Sequence, residues 1–129
     1  MRTNVLLEVR HAPNKGRGVF AAADIAAGQL IEAVEVIVVP ADQIETLEAT
    51  SLCDYYYKWG EDSLSGALAL GHASLYNHSY RPNVRYVKHF DRGLIEFFAL
   101  RGIVSGEEMT INYNGDPDSR KGVWFMPHD

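Results

Sequence analysis

Short apolar runs, broken at close intervals by glycine, are the feature that most restricts how this chain can fold. Eleven glycines punctuate the sequence, and little of it repeats apolar residues every three to four positions, as an amphipathic helix does. Strands need only a few residues between turns, so this punctuation favours strands over helices. We therefore predict a mainly β domain of small sheets and many turns. The βαβ alternation of a doubly wound nucleotide-binding fold is not found.

Apolar runs rich in β-branched and aromatic residues predict where the strands lie. The loop Asp91-Arg92-Gly93 separates two of these runs and is typical of a hairpin. Ala41–Ala49 is the best helix candidate, because Ile44 and Leu47 lie three residues apart on one face. The predicted strands are Val5–Val9, Val19–Phe20, Leu30–Val39, Val84–Phe90, Leu94–Leu100 and Met109–Tyr113.

The length and charge of the chain exclude several classes of protein. With 129 residues the chain has room for one domain, which we assign to residues 1–129. Its net charge of −5 lacks the positive excess that binds a phosphate backbone, so we expect no direct contact with nucleic acid. No segment approaches the ~20 apolar residues that span a bilayer, and a single cysteine leaves no disulfide within the chain. We expect a soluble, cytoplasmic protein that does not associate with a membrane.

Gly16 and Gly18 lie in a turn-rich stretch that begins at His11. Glycine lacks a Cβ atom, so backbone amides beside it can approach a ligand closely. The spacing matches neither the dinucleotide-binding fingerprint nor the phosphate-binding loop, since no further glycine follows at the required distance. From these residues alone, the stretch is either a plain hairpin turn or part of a ligand-binding loop.

A polar run, Asn77-His78-Ser79, directly follows the apolar Leu75 and Tyr76. Polar side chains that enter a core need hydrogen-bond partners. The run is either a loop whose side chains bond to the neighbouring backbone or a polar strip at the rim of a ligand pocket. The five histidines show no spacing typical of metal ligands, so we predict no metal site.

Tyr55, Tyr56, Tyr57 and Trp59 form an aromatic cluster in the sequence. In a strand, Tyr55 and Tyr57 share one face and Tyr56 lies on the other. One face is expected to pack against a sheet, whereas the other offers an aromatic slot for a cationic or aliphatic group.

Three segments taken together are more specific than any one of them. Residues 15–20, Lys-Gly-Arg-Gly-Val-Phe, resemble the N-terminal glycine motif of the SET-domain protein lysine methyltransferases. Residues 77–83, Asn-His-Ser-Tyr-Arg-Pro-Asn, resemble the Asn-His-Ser-Cys-x-Pro-Asn motif of that family. Residues 106–113, Gly-Glu-Glu-Met-Thr-Ile-Asn-Tyr, resemble its Gly-Glu-Glu-Leu-Thr-x-Asp-Tyr motif. The three segments occur in the family's order and span most of the chain.

The resemblance implies both a fold and a site. The implied fold is a set of small β-sheets with short helices around a C-terminal pseudoknot, in which the second and third motifs cross. The implied cofactor is S-adenosylmethionine, and the implied catalytic residue is Tyr113. The implied cofactor-binding residues are Lys15, Gly16, Arg17, Gly18, Asn77, His78 and Tyr113. The target lysine enters by a narrow channel from the opposite face, and the candidates for its lining are Tyr55, Tyr57, Tyr86 and Ile111.

The chain departs from the family pattern at several positions. Tyr80 stands where the second motif has cysteine, and Asn112 stands where the third motif has aspartate. No cysteine follows Tyr113, so we expect no zinc-binding post-SET segment, as in minimal viral and bacterial members. We predict that residues 114–129 form a tail over the cofactor side. There Trp124 and Phe125 either pack against the adenine of the cofactor or cover a sheet edge or a dimer contact.

These features predict an S-adenosylmethionine-dependent protein lysine N-methyltransferase, which transfers methyl to a lysine amine of a protein substrate. The alternative is a degenerate SET module that binds a protein partner without turnover, and intact Asn77, His78 and Tyr113 favour the enzyme. We also expect a homodimer, because a chain of 129 residues buries a limited part of its surface. For a viral protein, or one delivered into a host, the expected location is the host nucleus.

Overall fold

A computed structural model of the protein describes residues 2–3 and 5–123. These residues form mainly short strands, as the glycine punctuation predicts. The short helix α1 (Ile44–Glu48) follows a 3-10 turn at Ala41–Gln43, and another 3-10 turn spans Ala73–Leu75. The strands are β1 (Arg2–Thr3), β2 (Leu7–Ala12), β3 (Gly16–Ala21), β4 (Leu30–Val39), β5 (Tyr56–Trp59), β6 (Ser65–Ala69), β7 (Asn77–His78), β8 (Val84–His89), β9 (Leu94–Ala99) and β10 (Glu108–Ile111).

The larger sheet has the strand order β5-β6-β4-β9-β8, with β1 also paired to β4. The pairs in this sheet are antiparallel. β4 is central because its β-branched run is long enough to pair with β9 from Leu30 to Glu35 and with β6 from Val36 to Val39. β8 and β9 form the predicted hairpin, in which Gly93 adopts the turn conformation at φ +63°.

The larger sheet curls until its two end strands, β5 and β8, face each other. The Tyr57 ring meets the Tyr86 ring edge-on with 5.3 Å between centroids. The Trp59 ring meets the Phe90 ring at 4.9 Å in the same way. The curl therefore brings side chains from opposite ends of the sheet into contact. Tyr57 and Tyr86, together with Phe97, form one aromatic group, which no local sequence pattern indicates.

The smaller sheet has the strand order β2-β3-β10-β7. β10 lies antiparallel to β3 and parallel to β7. In the parallel pair, Thr110 lies opposite Asn77 and Ile111 lies opposite His78. This pairing brings the second and third sequence motifs side by side, as the resemblance implies.

The hydrophobic core takes side chains from both sheets. Burying each of its larger apolar side chains contributes about 1.5–3 kcal/mol. Asn83, the last residue of the second motif, is also buried: its Nδ2 donates to the Glu108 carbonyl over 2.9 Å and its Oδ1 accepts the Thr110 N–H over 2.8 Å. The apolar side chains that are no more than 1% exposed include Val19, Ile31, Val34, Val84, Ile95, Phe97, Ile103, Met109 and Ile111.

Element bounds differ from the prediction where pairing with distant residues decides them. The first predicted strand lies at Leu7–Ala12, and the turn-rich stretch after it is mostly strand, with a turn only at 13–15. The predicted helix divides into a 3-10 turn and α1, and the last predicted strand ends at Ile111. The sequence pattern does not predict β6, because its Ser-Gly-Ala start lacks β-branched residues. No helix among the described residues is long and apolar enough to cross a membrane.

Candidate functional site

The two glycines of the first motif meet different structural needs. Gly16 adopts φ +76° at the start of β3, and a Cβ added there would meet nothing within 4 Å. Glycine is therefore required at this position for its backbone conformation and not for lack of space. Gly18 does not need a positive φ. A Cβ added at Gly18 would lie 2.5 Å from Glu108 Oε2 and 2.9 Å from Asn77 Nδ2. Gly18 is therefore the position that leaves space for polar side chains of the other two motifs.

Those polar side chains form a connected group beside β3. Asn77 Nδ2 donates to the Glu108 carboxylate over 2.7 Å and to the Arg17 main-chain carbonyl over 2.9 Å. The Lys15 amine lies 3.4 Å from the other Glu108 oxygen. The two side chains of this ion pair are only 17% and 19% exposed, so solvent screens their attraction less than at a surface. The structure thus brings an ammonium, a carboxylate and an amide together at one place.

Glu108 belongs to the third motif but is not among the site residues that the sequence predicts. A sequence signal for it exists in the adjacent pair Glu107 and Glu108, since neighbouring residues of a strand point to opposite faces. Glu107 pairs with Arg101 at 3.1 Å on the exposed side. Glu108 accordingly points inward, towards Asn77 and Lys15.

His78 and Tyr113 lie against each other where β7 and β10 pair. His78 Nδ1 accepts the Tyr113 main-chain N–H over 3.0 Å, and the two ring centroids are 5.2 Å apart. The Tyr113 hydroxyl donates to the Tyr76 carbonyl over 2.7 Å. Burial, together with negative charge on Glu108 and Asp54, raises the pKa of Tyr113 well above its ordinary value. The hydroxyl therefore keeps its proton, and the tyrosine is held at both its backbone and its hydroxyl.

Two of the predicted channel residues, Tyr57 and Tyr86, lie in the aromatic group beside Tyr113. The Tyr57 hydroxyl donates to the Ala73 carbonyl over 2.6 Å, and the Tyr86 hydroxyl donates to the Asn112 carbonyl over 3.4 Å. Burial raises the pKa of Tyr86 to about 12 and that of Tyr57 well above its ordinary value. Both hydroxyls are consequently neutral donors. Ionisation of Tyr113 would be opposed by charge on Tyr86, which shows how close these groups lie.

The other two channel candidates lie at different depths. Tyr55 precedes β5 and is 41% exposed. Ile111 is 1% exposed, and its main-chain carbonyl accepts the Ser79 N–H over 2.9 Å. The structure places Tyr55 at the surface and Ile111 in the core, and their role in lining a channel stays a prediction.

The two motif departures both bind the chain that follows the third motif. The Tyr80 hydroxyl donates to the Lys121 carbonyl over 3.0 Å, and Asn112 Nδ2 donates to the Ser119 carbonyl over 2.8 Å. An ionised aspartate at position 112 has no N–H with which to make that second bond. The described part of the tail, residues 114–123, is therefore anchored to the second and third motifs by the very residues that differ from the family pattern.

The sequence also makes predictions about an aromatic wall in the tail and about metal binding. Trp124 and Phe125, the predicted aromatic wall, lie outside the described residues, so their contact with a cofactor stays a prediction. Across residues 2–3 and 5–123, no three side chains of His, Cys, Asp or Glu converge in a way that would hold a metal ion.

Known proteins share both the sequence and the fold. The SET domain family model matches residues 16–114. A Schizosaccharomyces pombe protein named histone-lysine N-methyltransferase, H3 lysine-37 specific, is 38% identical over 120 residues, which cover 92% of this chain and 76% of that protein. A crystal structure of a Plasmodium falciparum protein, provisionally assigned as a histone methyltransferase, has a TM-score of 0.68 and 25% identity, covering 88% of this chain and 95% of that one. The predicted mainly β SET fold is confirmed, and the chain belongs to the SET-domain family of protein lysine methyltransferases.

Proposed function

We propose that Lys15 and the residues of β3, β7 and β10 described above bind S-adenosylmethionine. We also propose that Tyr113 assists methyl transfer from it to a lysine of a protein substrate. The parallel pairing of β10 with β7 carries the proposal. This pairing sets Asn77 and His78, which are expected to bind the cofactor, beside the strand that leads into Tyr113. The residues expected to bind the cofactor and the tyrosine expected to assist methyl transfer are thereby held by the same pair of strands.

The residues beside β3 fit the amino-acid end of S-adenosylmethionine, which carries an ammonium and a carboxylate. Lys15 and Glu108 offer opposite charges 3.4 Å apart, and Asn77 adds an amide. Each charge of this pair can exchange its present partner for the opposite charge of the ligand. When bound, the cofactor supplies a methyl group carried on a positively charged sulfur. Lys15, Asn77 and Glu108 would hold its amino-acid end against the main chain at Gly18.

The aromatic group suits the other reactant, a lysine side chain. Tyr86 packs against both Tyr57 and Phe97, with ring centroids 5.3 Å and 5.8 Å apart. Rings with neutral hydroxyls can pack along the methylene stem of a lysine and keep water from its amine. Loss of water lowers the pKa of the amine, which favours the neutral form that has an electron pair for attack. Holding that amine in line with the methyl group lowers the barrier further.

Tyr113 is suited to assist the transfer because its proton already has an acceptor. The hydroxyl hydrogen is donated to the Tyr76 carbonyl, so the oxygen acts as an acceptor towards reacting groups brought beside it. Such an oxygen accepts weak hydrogen bonds from electron-poor C–H groups. Its raised pKa keeps the hydroxyl neutral, so Tyr113 orients and stabilises reacting groups and does not act as a base.

We further propose that the substrate lysine lies in a basic protein segment. The net charge of −5 favours encounter with positively charged partners. The two relatives described above carry names of histone methyltransferases, and histone tails are basic segments of this kind.

Calorimetry and a methylation assay test the proposal. We expect the purified protein to bind S-adenosylmethionine and to transfer labelled methyl groups to purified core histones. Tyr113→Phe is expected to lower turnover about 100-fold or more while cofactor affinity changes less than about twofold, because the hydroxyl acts mainly on the transition state. Tyr56→Phe is the matched control, since the Tyr56 hydroxyl bonds to Glu48 outside the site.

Each result points to a different conclusion. Absence of cofactor binding would reject the proposal as a whole. Binding without transfer to histones or to the proteins of a whole lysate would indicate the degenerate binding module instead. Wild-type turnover in Tyr113→Phe would reject the role assigned to Tyr113, and an equal loss in Tyr56→Phe would show that the loss is not specific to the site.

A further inference from the structure

Glu32 is the one buried carboxylate among the described residues, with 0% exposure, and the reaction proposed above does not use it. It lies on β4 within a run of mostly apolar residues. Burial of a carboxylate costs free energy unless polar groups surround it. A protein with an apolar residue of similar size at such a position is often no less stable. Its presence in the core is best explained by a contact that an apolar side chain cannot make.

The contacts of Glu32 are with the chain segment 72–76, which follows β6. Oε1 accepts the His72 main-chain N–H over 3.2 Å, and His72 Nδ1 lies 3.4 Å from Oε2. The Tyr76 side chain lies beside the carboxylate, whose negative charge adds to burial in raising the pKa of Tyr76. Burial raises the pKa of Glu32 itself, and the neighbouring His72 opposes that shift. One side chain of β4 thus ties this segment to the larger sheet.

The same segment accepts the hydroxyls of two tyrosines of the site. The Tyr57 hydroxyl donates to the Ala73 carbonyl over 2.6 Å, and the Tyr113 hydroxyl donates to the Tyr76 carbonyl over 2.7 Å. Both acceptors belong to the main chain, so any shift of the segment moves them together. Glu32 accepts the N–H of His72, the residue just before Ala73, so a change at Glu32 acts on the segment that carries both acceptors.

We propose that Glu32 is a positioning residue for methyl transfer, holding segment 72–76 so that its carbonyls fix the hydroxyls of Tyr57 and Tyr113. The inference rests on the proposed function, which gives these tyrosines their roles. The contacts of Glu32 lie apart from the polar group beside β3. Its loss should therefore lower turnover and leave cofactor affinity unchanged.

Two substitutions of similar size separate the hydrogen bond from the charge. Glu32→Gln keeps an acceptor for the His72 N–H, whereas Glu32→Met fills the same space and offers none. With core histones and saturating S-adenosylmethionine, we expect kcat to fall about tenfold or more in Glu32→Met and to stay within about threefold in Glu32→Gln. Cofactor affinity should match the wild type in both. Val34→Ala, a change at a fully buried position of the same strand, controls for general loosening of the core.

Hydrogen exchange of the His72 amide gives a readout that does not depend on turnover. We expect slow exchange in the wild type and in Glu32→Gln, and faster exchange in Glu32→Met. Wild-type kcat or wild-type exchange in Glu32→Met overturns the inference, and so does an equal loss of kcat in both Glu32 variants or in Val34→Ala.

The test also holds when one variant does not fold. If Glu32→Met is unfolded, Glu32→Leu replaces it as the variant without an acceptor, and a tenfold loss of kcat with faster His72 exchange in that variant supports the inference. A tenfold loss of kcat in Glu32→Gln with unchanged exchange overturns it. Failure of the wild type itself to bind S-adenosylmethionine rejects the proposed function instead.

Discussion

Gly18→Ala places one added carbon atom directly against the polar group beside β3. The added Cβ would lie 2.5 Å from Glu108 Oε2, 2.9 Å from Asn77 Nδ2 and 3.2 Å from Ala12 Cβ. Gly18 has no positive φ, so an alanine backbone is not strained there. The effect of the substitution is therefore steric, and it falls on the side chains expected to hold the cofactor.

The size of the effect follows from the contacts that must give way. Moving the Glu108 carboxylate by several tenths of an ångström weakens its 2.7 Å hydrogen bond from Asn77. A displaced Glu108 is also misplaced for the ammonium of the cofactor. A hydrogen bond to a charged group contributes about 1.5–3 kcal/mol, so loss of one such bond should lower affinity for S-adenosylmethionine about 10- to 150-fold. Crowding of the Ala12 side chain adds a loss of stability of about 1–3 kcal/mol, which is typical of overpacking.

Gly93→Ala is the matched control for loss of stability alone. Gly93 adopts φ +63° in the turn between β8 and β9, and an added Cβ would meet nothing within 4 Å. Because this backbone conformation is left-handed, an alanine at position 93 should lower the free energy of unfolding by about 1–2 kcal/mol. In calorimetry and thermal melts, both variants should have a lower Tm, but only Gly18→Ala should lose cofactor affinity. Equal affinities in the two variants would refute the reasoning that Gly18 makes room for the cofactor-binding side chains.

Other changes test separate parts of the site and the fold. Asn77→Ala should lower affinity for S-adenosylmethionine about tenfold or more in calorimetry, because its amide joins two strands of the site; unchanged affinity in a folded variant would contradict this. Tyr86→Phe should shift the products towards higher methylation in mass spectra, since it removes a hydroxyl that we expect to occupy space near the lysine amine. Identical spectra would exclude that role. Burial raises the pKa of Glu32 above its ordinary 4.5. The folded protein is therefore most favoured while Glu32 is protonated, and it loses stability as the pH rises from 4.5 through the raised pKa. In denaturant titrations Glu32→Gln should accordingly gain stability relative to the wild type as the pH rises above about 4.5, whereas a constant difference would argue against the raised pKa. Light scattering should show a homodimer, and a species of ~14 kDa at high concentration would exclude it.

Some elements could be predicted because their signals are local. The β-branched run of β4 predicts a strand over Leu30–Val39, which is the strand observed. The loop at Asp91-Arg92-Gly93 predicts the hairpin of β8 and β9, since turn residues and flanking apolar runs are adjacent in the chain. β6 could not be predicted in this way, because its own residues have weak strand propensity. It forms a strand because it pairs with β4 and β5.

The sequence by itself determined the chemistry available, since the residue types of the three motifs identify the family and point to Asn77, His78 and Tyr113. Only the tertiary structure decided which groups meet. Glu108 lies 31 residues from Asn77 and 93 from Lys15, and Tyr113 lies 37 residues from the Tyr76 carbonyl that accepts its hydroxyl. Contacts over such separations depend on strand register and sheet curl, which packing along the whole chain sets. A slip of one residue between β7 and β10 would turn every paired side chain to the opposite face, so no local pattern can assign these partners.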